Sequence, residues 1–286
     1  TNFFSSPTAV PALRTNFEIL TPAVLAARAE YETFRANTFI PAAATALRTI
    51  VSQPLPRDSA SIAFQGVTSI ALLGNVISPS AGGLGAKIDI SSTSAITIGS
   101  STTDADGVVL DSSRLNSWGA SSLLIGGLRR TTTSGTVVDV NTESLTLTGS
   151  LKGSDLILAS KSFLTLEDGS SLDSTGSAAI SSGKISIAGQ GALVRVSSDA
   201  NADFARTSTA GDNEPSLSVN SGASLSATSL ILESTKSASI SALASISAQN
   251  LSVGSEKIVV DFVGSSTDST ALILAGDLLS GLSSAG

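Results

Sequence analysis

Pairs of short apolar strands recur along this chain, with equivalent residues eight positions apart. In one pair, Lys87-Ile88-Asp89-Ile90 is followed by Ala95-Ile96-Thr97-Ile98, and such alternation of apolar and polar residues is typical of strands that bury one face. The equivalent residues are Ile62/Ile70, Ile88/Ile96, Leu156/Leu164, Ile185/Leu193, Leu217/Leu225 and Leu251/Val259. Two such strands joined by a polar corner make most of one turn, so the spacing predicts a coil of stacked β-rungs.

A longer repeat near the end of the chain supports the coil. Leu230-Ile231-Leu232, Leu251-Ser252-Val253 and Leu272-Ile273-Leu274 recur every 21 residues, which suits one rung of a solenoid. Aromatic residues make up only 4% of the chain and charged residues 14%, as expected for a narrow aliphatic interior. We therefore expect an all-β fold, a parallel β-helix that covers residues 58–286.

The first 57 residues have a different, helical pattern. Thr21 is a suitable N-cap with Pro22 at the first helical position, which predicts a helix over about 22–37. Pro41 is expected to begin a second helix that ends before Pro54. We expect segment 1–57 to pack on the solenoid or cap it, where free strand edges would otherwise invite aggregation. A helix lying on a membrane surface is the alternative, but the charges are mixed and form no basic face.

Composition excludes several kinds of chemistry. The chain has no cysteine, histidine or methionine, so it has no disulfide, thiol nucleophile, histidine base or His/Cys metal cluster. A net charge of −7 argues against a nucleic-acid partner, and no apolar run is long enough to span a membrane as a helix. The absence of cysteine in an acidic chain fits a protein exported by a bacterium. We predict no cofactor.

Acidic residues provide the candidates for metal binding and catalysis. Asp104, Asp106 and Asp111 are the candidate calcium ligands, because Asp104-Ala105-Asp106-Gly107 resembles the beginning of a calcium loop, but the later ligands are missing and a turn is favoured. The candidate carboxylates of a β-helix polysaccharide lyase or hydrolase are these three together with Glu167, Asp168, Asp173, Asp212 and Glu214. Each also fits a corner or a solvated loop, and no carboxylate pair repeats at rung spacing. Lys184 and Arg195 are expected to face solvent.

Two further features are candidates for contact with a partner. Asn201, Asp203, Phe204 and Arg206 lie in the longest excursion, from residue 197 to 215, and form either a contact loop or a tolerated insertion whose Phe204 packs back on the coil. Trp118 is the only tryptophan and is either a platform for sugars or, as we favour, buried against a neighbouring rung.

Several stretches resemble a known family. The segment Asp106 to Asp111, followed by Leu115 to Gly127, is similar to the "DG-V-LD…LNA-GA-SLLIGG" passage of large exoproteins of the filamentous-haemagglutinin type. The stretches Asp155 to Ser160 and Phe163 to Asp173 resemble the "EIILAA…LTVADGSVLDA" rungs of the same proteins, and the helical residues 22–48 resemble an interruption found there. The resemblance implies a right-handed parallel β-helix that is exported by two-partner secretion.

The same resemblance implies a non-enzymatic role in adhesion, biofilm or contact between cells. The expected partners are a glycan or protein on a host or neighbouring cell and an outer-membrane transporter during export, with a secreted or cell-surface location. The family's amino-terminal secretion domain is not recognisable, so we expect a section of a longer chain. Two alternatives stay open: self-association into an extracellular filament, and a β-helix enzyme acting on polysaccharides.

Overall fold

The computed structural model describes residues 21–28, 36–46, 57–78, 83–100, 107–175, 180, 182–208, 211, 213–262, 266, 268, 270–276 and 278–279. About half of these residues are in β-strands, a few are in helices, and the sheets are curled. The chain forms two compact units, Thr1–Pro56 and Arg57–Gly286.

Two helices lie in the first unit, α1 (Pro22–Arg28) and α2 (Ala36–Ala46). Helix α1 begins at Pro22, as predicted. The prediction that Pro41 begins the second helix is wrong, because α2 begins at Ala36 and contains Pro41 in its interior. Proline has no N–H, so α2 lacks one backbone hydrogen bond there. Residues 29–35 and 47–53 of the predicted helices lie outside the described residues, and the packing of segment 1–57 stays a prediction.

The second unit contains the strands and one short helix. The strands are β1 (Ser61–Gly66), β2 (Lys87–Ser92), β3 (Ile96–Gly99), β4 (Val108–Asp111), β5 (Ser122–Ile125), β6 (Gly127–Thr132), β7 (Gly135–Val140), β8 (Ser144–Leu147), β9 (Ser150–Lys152), β10 (Asp155–Ser160), β11 (Phe163–Leu166), β12 (Ser171–Asp173), β13 (Lys184–Ile187), β14 (Ala192–Ser197), β15 (Asp203–Arg206), β16 (Ser216–Val219), β17 (Ser224–Ser234), β18 (Ser237–Ile240), β19 (Ser245–Gly254), β20 (Ile258–Asp261) and β21 (Leu272–Ala275). Helix α3 (Ser112–Ser117) lies between β4 and β5.

Two sheets hold most of the strands. The larger has the order β1-β2-β5-β10-β14-β17-β12-β9, with β19 beside β17, and the second has the order β18-β16-β11-β8-β3-β4. Consecutive strands such as β10 and β11 lie in different sheets, and most pairings are parallel. The strands stack equivalent apolar residues: Leu164 of β11 lies between Leu145 and Leu217 in the second sheet. These leucines are 0–1% exposed and belong to the main hydrophobic core.

The 21-residue repeat is confirmed for its first two members only. Leu230 of β17 pairs with Leu251 of β19 in a parallel register. The third member, Leu272, pairs instead with Ile258 in the separate sheet of β20 and β21. The chain between β19 and β21 therefore departs from the spacing that the sequence predicts.

A third sheet, β15-β13-β7-β6, covers part of the large sheet. It forms a second core with the large sheet: Leu124, Ile157 and Leu193 meet Val138, Ile185 and Ile187. Strands β10 and β14 are therefore buried along their whole length, which explains their nearly continuous apolar runs. The interpretation of Ile185 and Leu193 as equivalent rung positions is wrong, because both side chains lie in this second core.

Strand β14 runs antiparallel to both of its neighbours, β10 and β17. It is preceded by β13 and followed by β15, so the chain enters the large sheet from the covering sheet and returns to it. The large sheet therefore contains antiparallel as well as parallel strand pairs.

Helix α3 lies within residues 58–286, where the sequence pattern predicts only strands and their irregular connections, so this helix was not predicted. Asp111 is its N-cap and accepts hydrogen bonds from the backbone N–H groups of Ser113 and Arg114, at 2.9 Å and 3.3 Å. The amide of Asn116 then donates to the carbonyl of Ser150 at 2.9 Å and accepts from the N–H of Lys152 at 2.8 Å. One side chain thus pairs with the backbone of β9, the last strand in the order of the large sheet.

Candidate functional site

The predicted calcium ligands are not brought together by the described residues. Asp104 and Asp106 lie outside them, and Asp111 is the helix cap of α3. Hydrogen bonds from the Ser113 hydroxyl and the Arg114 N–H lower the pKa of Asp111. The described part of the chain contains no group of three acidic, histidine or cysteine side chains close enough to hold a metal ion.

The other acidic candidates lie apart in corners and loops. Glu167 accepts a hydrogen bond from the amide of Asn220 at 2.9 Å, and Asp173 accepts one from the N–H of Thr175 at 2.8 Å. Asp168 is exposed in a turn, and Glu214 is exposed 3.9 Å from Lys236 Nζ. Asp212 lies outside the described residues.

The predicted contact residues 201–206 have largely structural roles. Phe204 packs on the second core, and Arg206 pairs with Glu233, whose pKa burial raises. Asp203 forms an exposed pair with Lys184 at 2.8 Å, which lowers the pKa of Asp203. Asn201 is exposed, with its N–H bound to Asp199 at 2.9 Å. Residues 203–206 are strand β15, so the geometry agrees better with a packed insertion than with a free contact loop.

Trp118 is buried, as predicted, with 2% of its surface exposed. Its ring lies 5.8 Å from that of Phe64, between ring centroids. Its indole Nε1 is buried without a hydrogen-bond partner. Trp118 is therefore a core residue in this structure and is no platform for sugars.

The expectation that Arg195 faces solvent is wrong. Arg195 is fully buried between the large sheet and the covering sheet, where its Nε donates to Asp155 Oδ1 at 2.9 Å. Its Nη1 also donates to the carbonyls of Gly183 and Asp203, at 2.9 Å and 2.7 Å. The covering sheet and the turn before it thus supply carbonyl acceptors for the Arg195 guanidinium, which would be exposed without them. Lys184, in contrast, is exposed as predicted.

A row of polar contacts runs from Arg195 to the end of the covering sheet. Asp155 Oδ2 accepts a hydrogen bond from Ser122 Oγ at 2.6 Å, and Ser122 Oγ accepts one from Arg129 Nη2 at 2.8 Å. Arg129 also donates its backbone N–H to Asp89 Oδ2 at 2.7 Å. The row joins β2, β5, β6, β10 and β14, and so ties the two layers together.

A groove lies beside the outer end of this row. It has a volume of about 260 Å³ and is lined by Ser61, Ile62, Ala63, Lys87, Asp89, Arg129, Thr131 and Thr136. Arg129 Nη1 and Asp89 Oδ1 lie 3.2 Å apart but form no well-aligned hydrogen bond with each other or with other groups in the structure. Burial lowers the pKa of Arg129, although the Asp89 charge opposes this. The groove therefore combines a charged floor with hydroxyl-bearing walls.

Sequence reasoning missed this groove. The alternating pattern identifies Lys87 and Asp89 only as polar members of a strand, and no pattern in the sequence singles out Arg129. The useful signal was local: Ser134-Gly135 is a turn dipeptide between two alternating stretches, which predicts the hairpin of β6 and β7. The proximity of this hairpin to β2 depends on long-range packing.

No protein-family model, curated protein or solved structure matches the chain. Among the described residues, none of the helices is both long and apolar enough to cross a membrane.

Proposed function

We propose that this chain is a non-enzymatic, structural and adhesive section of a bacterial exoprotein, folded as a right-handed parallel β-helix. The parallel stacking of equivalent side chains, as in Leu145, Leu164 and Leu217, supports the coil. The resemblance of residues 106–127 and 155–173 to exoproteins of the filamentous-haemagglutinin type supports export by two-partner secretion and a secreted or cell-surface location. An outer-membrane transporter is then the partner during export.

The observation that carries the adhesive role is a row of hydroxyl side chains on the second sheet. Thr97, Thr146, Thr165, Ser218 and Ser239 pair in register on five neighbouring strands. The row extends over roughly 19 Å, at ~4.8 Å per strand. Its side chains are partly or fully exposed, while their neighbours along each strand are core residues. Repeated hydroxyl groups on a regular surface suit weak, multivalent contacts with a cell-surface glycan or protein.

Binding of the purified chain to bacterial and host cells tests this role. We expect saturable binding that falls when Thr165 and Ser218 are both replaced by arginine, because the long side chains interrupt the row. A matched double variant, Ser226→Arg with Ser247→Arg, changes partly or fully exposed positions outside the row and is expected to bind normally. The proposal is wrong if the folded chain binds no cells, or if it cleaves polysaccharides and loses that activity in Asp168→Ala.

A further inference from the structure

We propose that the groove between β1, β2 and the β6–β7 hairpin binds a sugar that carries a carboxylate. The inference rests on the proposed adhesive function, since it names the kind of surface group that the chain would recognise. It depends on different residues from the hydroxyl row, namely Lys87, Thr131 and Thr136.

Charge is the first argument. The polar row and the groove contain three cations, Lys87, Arg129 and Arg195, and two carboxylates, Asp89 and Asp155. Asp155 is paired with Arg195 and Asp89 with Arg129. In the part of the chain that the structure describes, no carboxylate lies within ion-pair distance of Lys87, so one positive charge remains at the groove. This local excess is notable in a chain of net charge −7 and suits a single anionic group.

The buried groups of the floor are the second argument. Arg129 has 12% of its side chain exposed, and its Nη1 lacks an aligned acceptor. Because this Nη1 atom is itself buried, a bound anion acts on Arg129 through its charge, which it stabilises against the cost of burial. Lys87 is exposed at the rim and is free to make the direct contact.

Size and wall chemistry favour a sugar over a bare anion. A volume of about 260 Å³ lies just below the usual range for small-molecule sites, which begins near ~300 Å³, so the groove suits one sugar ring. Hydroxyls of Ser61, Thr131 and Thr136 offer donors and acceptors for ring hydroxyls, while Ile62 and Ala63 offer apolar contact for the ring carbons. The open side of the groove allows a chain of sugars to continue.

Titration calorimetry of the intact chain with trigalacturonate tests the inference, with neutral galactotriose and sodium acetate as the comparison ligands. We expect trigalacturonate alone to bind, and Lys87→Gln to weaken it at least about tenfold through loss of the charged contact. Thr136→Val is expected to weaken binding about threefold or more. Lys152→Gln removes an exposed lysine on β9, at the far end of the sheet order, and is the matched control.

Each outcome is decisive for the groove. The proposal is overturned if the folded chain does not bind trigalacturonate, if galactotriose or acetate binds equally well, or if Lys87→Gln binds as tightly as the parent. Circular dichroism confirms that each variant is folded, and Thr131→Val replaces Lys87→Gln if the latter fails to fold. If the parent chain binds trigalacturonate but binds no cells, only the adhesive role is contradicted, because calorimetry with a soluble sugar does not measure adhesion.

Discussion

Arg195 Nε donates a hydrogen bond to Asp155 Oδ1 over 2.9 Å, and the two side chains are only 1% and 2% exposed. Arg195 lies on β14, the strand that runs antiparallel to its neighbours, and Asp155 begins β10. The pair therefore links two neighbouring strands that run in opposite directions. A buried pair contributes little net stability by itself, but either charge left alone is costly.

This relationship predicts a strong asymmetry between single and double variants. Asp155→Leu should reduce the free energy of unfolding by about 3–5 kcal/mol, because it leaves the Arg195 guanidinium buried without a carboxylate. The double variant Asp155→Leu with Arg195→Met should recover part of this loss. Urea unfolding measures both. Equal destabilisation by Asp155→Leu and by the exposed-pair variant Asp139→Leu would contradict the argument, since Asp139 is about half exposed beside Arg130.

Asn116 is expected to protect the edge of β9. Asn116→Ala removes two hydrogen bonds to the backbone of Ser150 and Lys152, and should lower the free energy of unfolding by about 1–3 kcal/mol. Hydrogen exchange should become faster at the Lys152 amide in particular. Ser113→Ala leaves both contacts in place, so unchanged exchange at Lys152 is expected there. Similar exchange in both variants would show that Asn116 does not protect this edge.

Gly126 should tolerate no side chain. Its φ is 104°, and a Cβ atom would lie 1.8 Å from the carbonyl oxygen of Ala159 on β10. Gly135, in the β6–β7 turn, has φ of 122° but no atom within 4 Å of the equivalent position. We expect Gly135→Ala to cost about 1–3 kcal/mol from backbone strain alone and Gly126→Ala to cost at least about 2 kcal/mol more. Thermal unfolding of the two variants compares them directly, and equal midpoints would refute the predicted clash.

Asp199 should make the fold sensitive to acid. Burial alone would raise its pKa, but hydrogen bonds from the N–H groups of Gly183, Asn201 and Ser182 outweigh burial and lower the pKa below its ordinary value of 3.8. The folded state therefore holds the ionised carboxylate more strongly than the unfolded chain does. Its contribution is complete above the ordinary pKa and is lost as the pH falls through the folded-state pKa.

Asp199→Asn tests this dependence. It should cost about 1–3 kcal/mol at neutral pH and flatten the decline in stability below about pH 4. Glu214→Gln, at an exposed carboxylate, should leave both the stability and its pH dependence nearly unchanged. The reasoning fails if Asp199→Asn shows the same acid slope as the parent in urea unfolding measured across this pH range.

Local sequence patterns were sufficient to predict many strands and their inward residues. Alternation in β3 and β11 predicted which side chains are buried, because a strand has a period of two and one face must avoid water. In β2 it predicted the buried Ile88 and Ile90, but the polar residues Asp89, Ser91 and Ser92 are buried as well. Burial of Trp118 and exposure of Lys184 were also predictable from their neighbours. The 21-residue spacing predicted the pairing of Leu230 with Leu251, because a repeated length stacks equivalent residues.

The environment of the outward residues, in contrast, was set by packing between sheets. Arg195 and Lys184 were both expected to face solvent, yet only Lys184 does. Arg195 is fully buried because the covering sheet lies over it, whereas Lys184 begins a strand of the covering sheet itself. The same sheet brings Arg129 to Asp89, 40 residues away along the chain, and creates the wall of the groove. Local periodicity reports which face of a strand avoids water. It carries no information on which distant segment covers the other face, since that depends on long-range contacts.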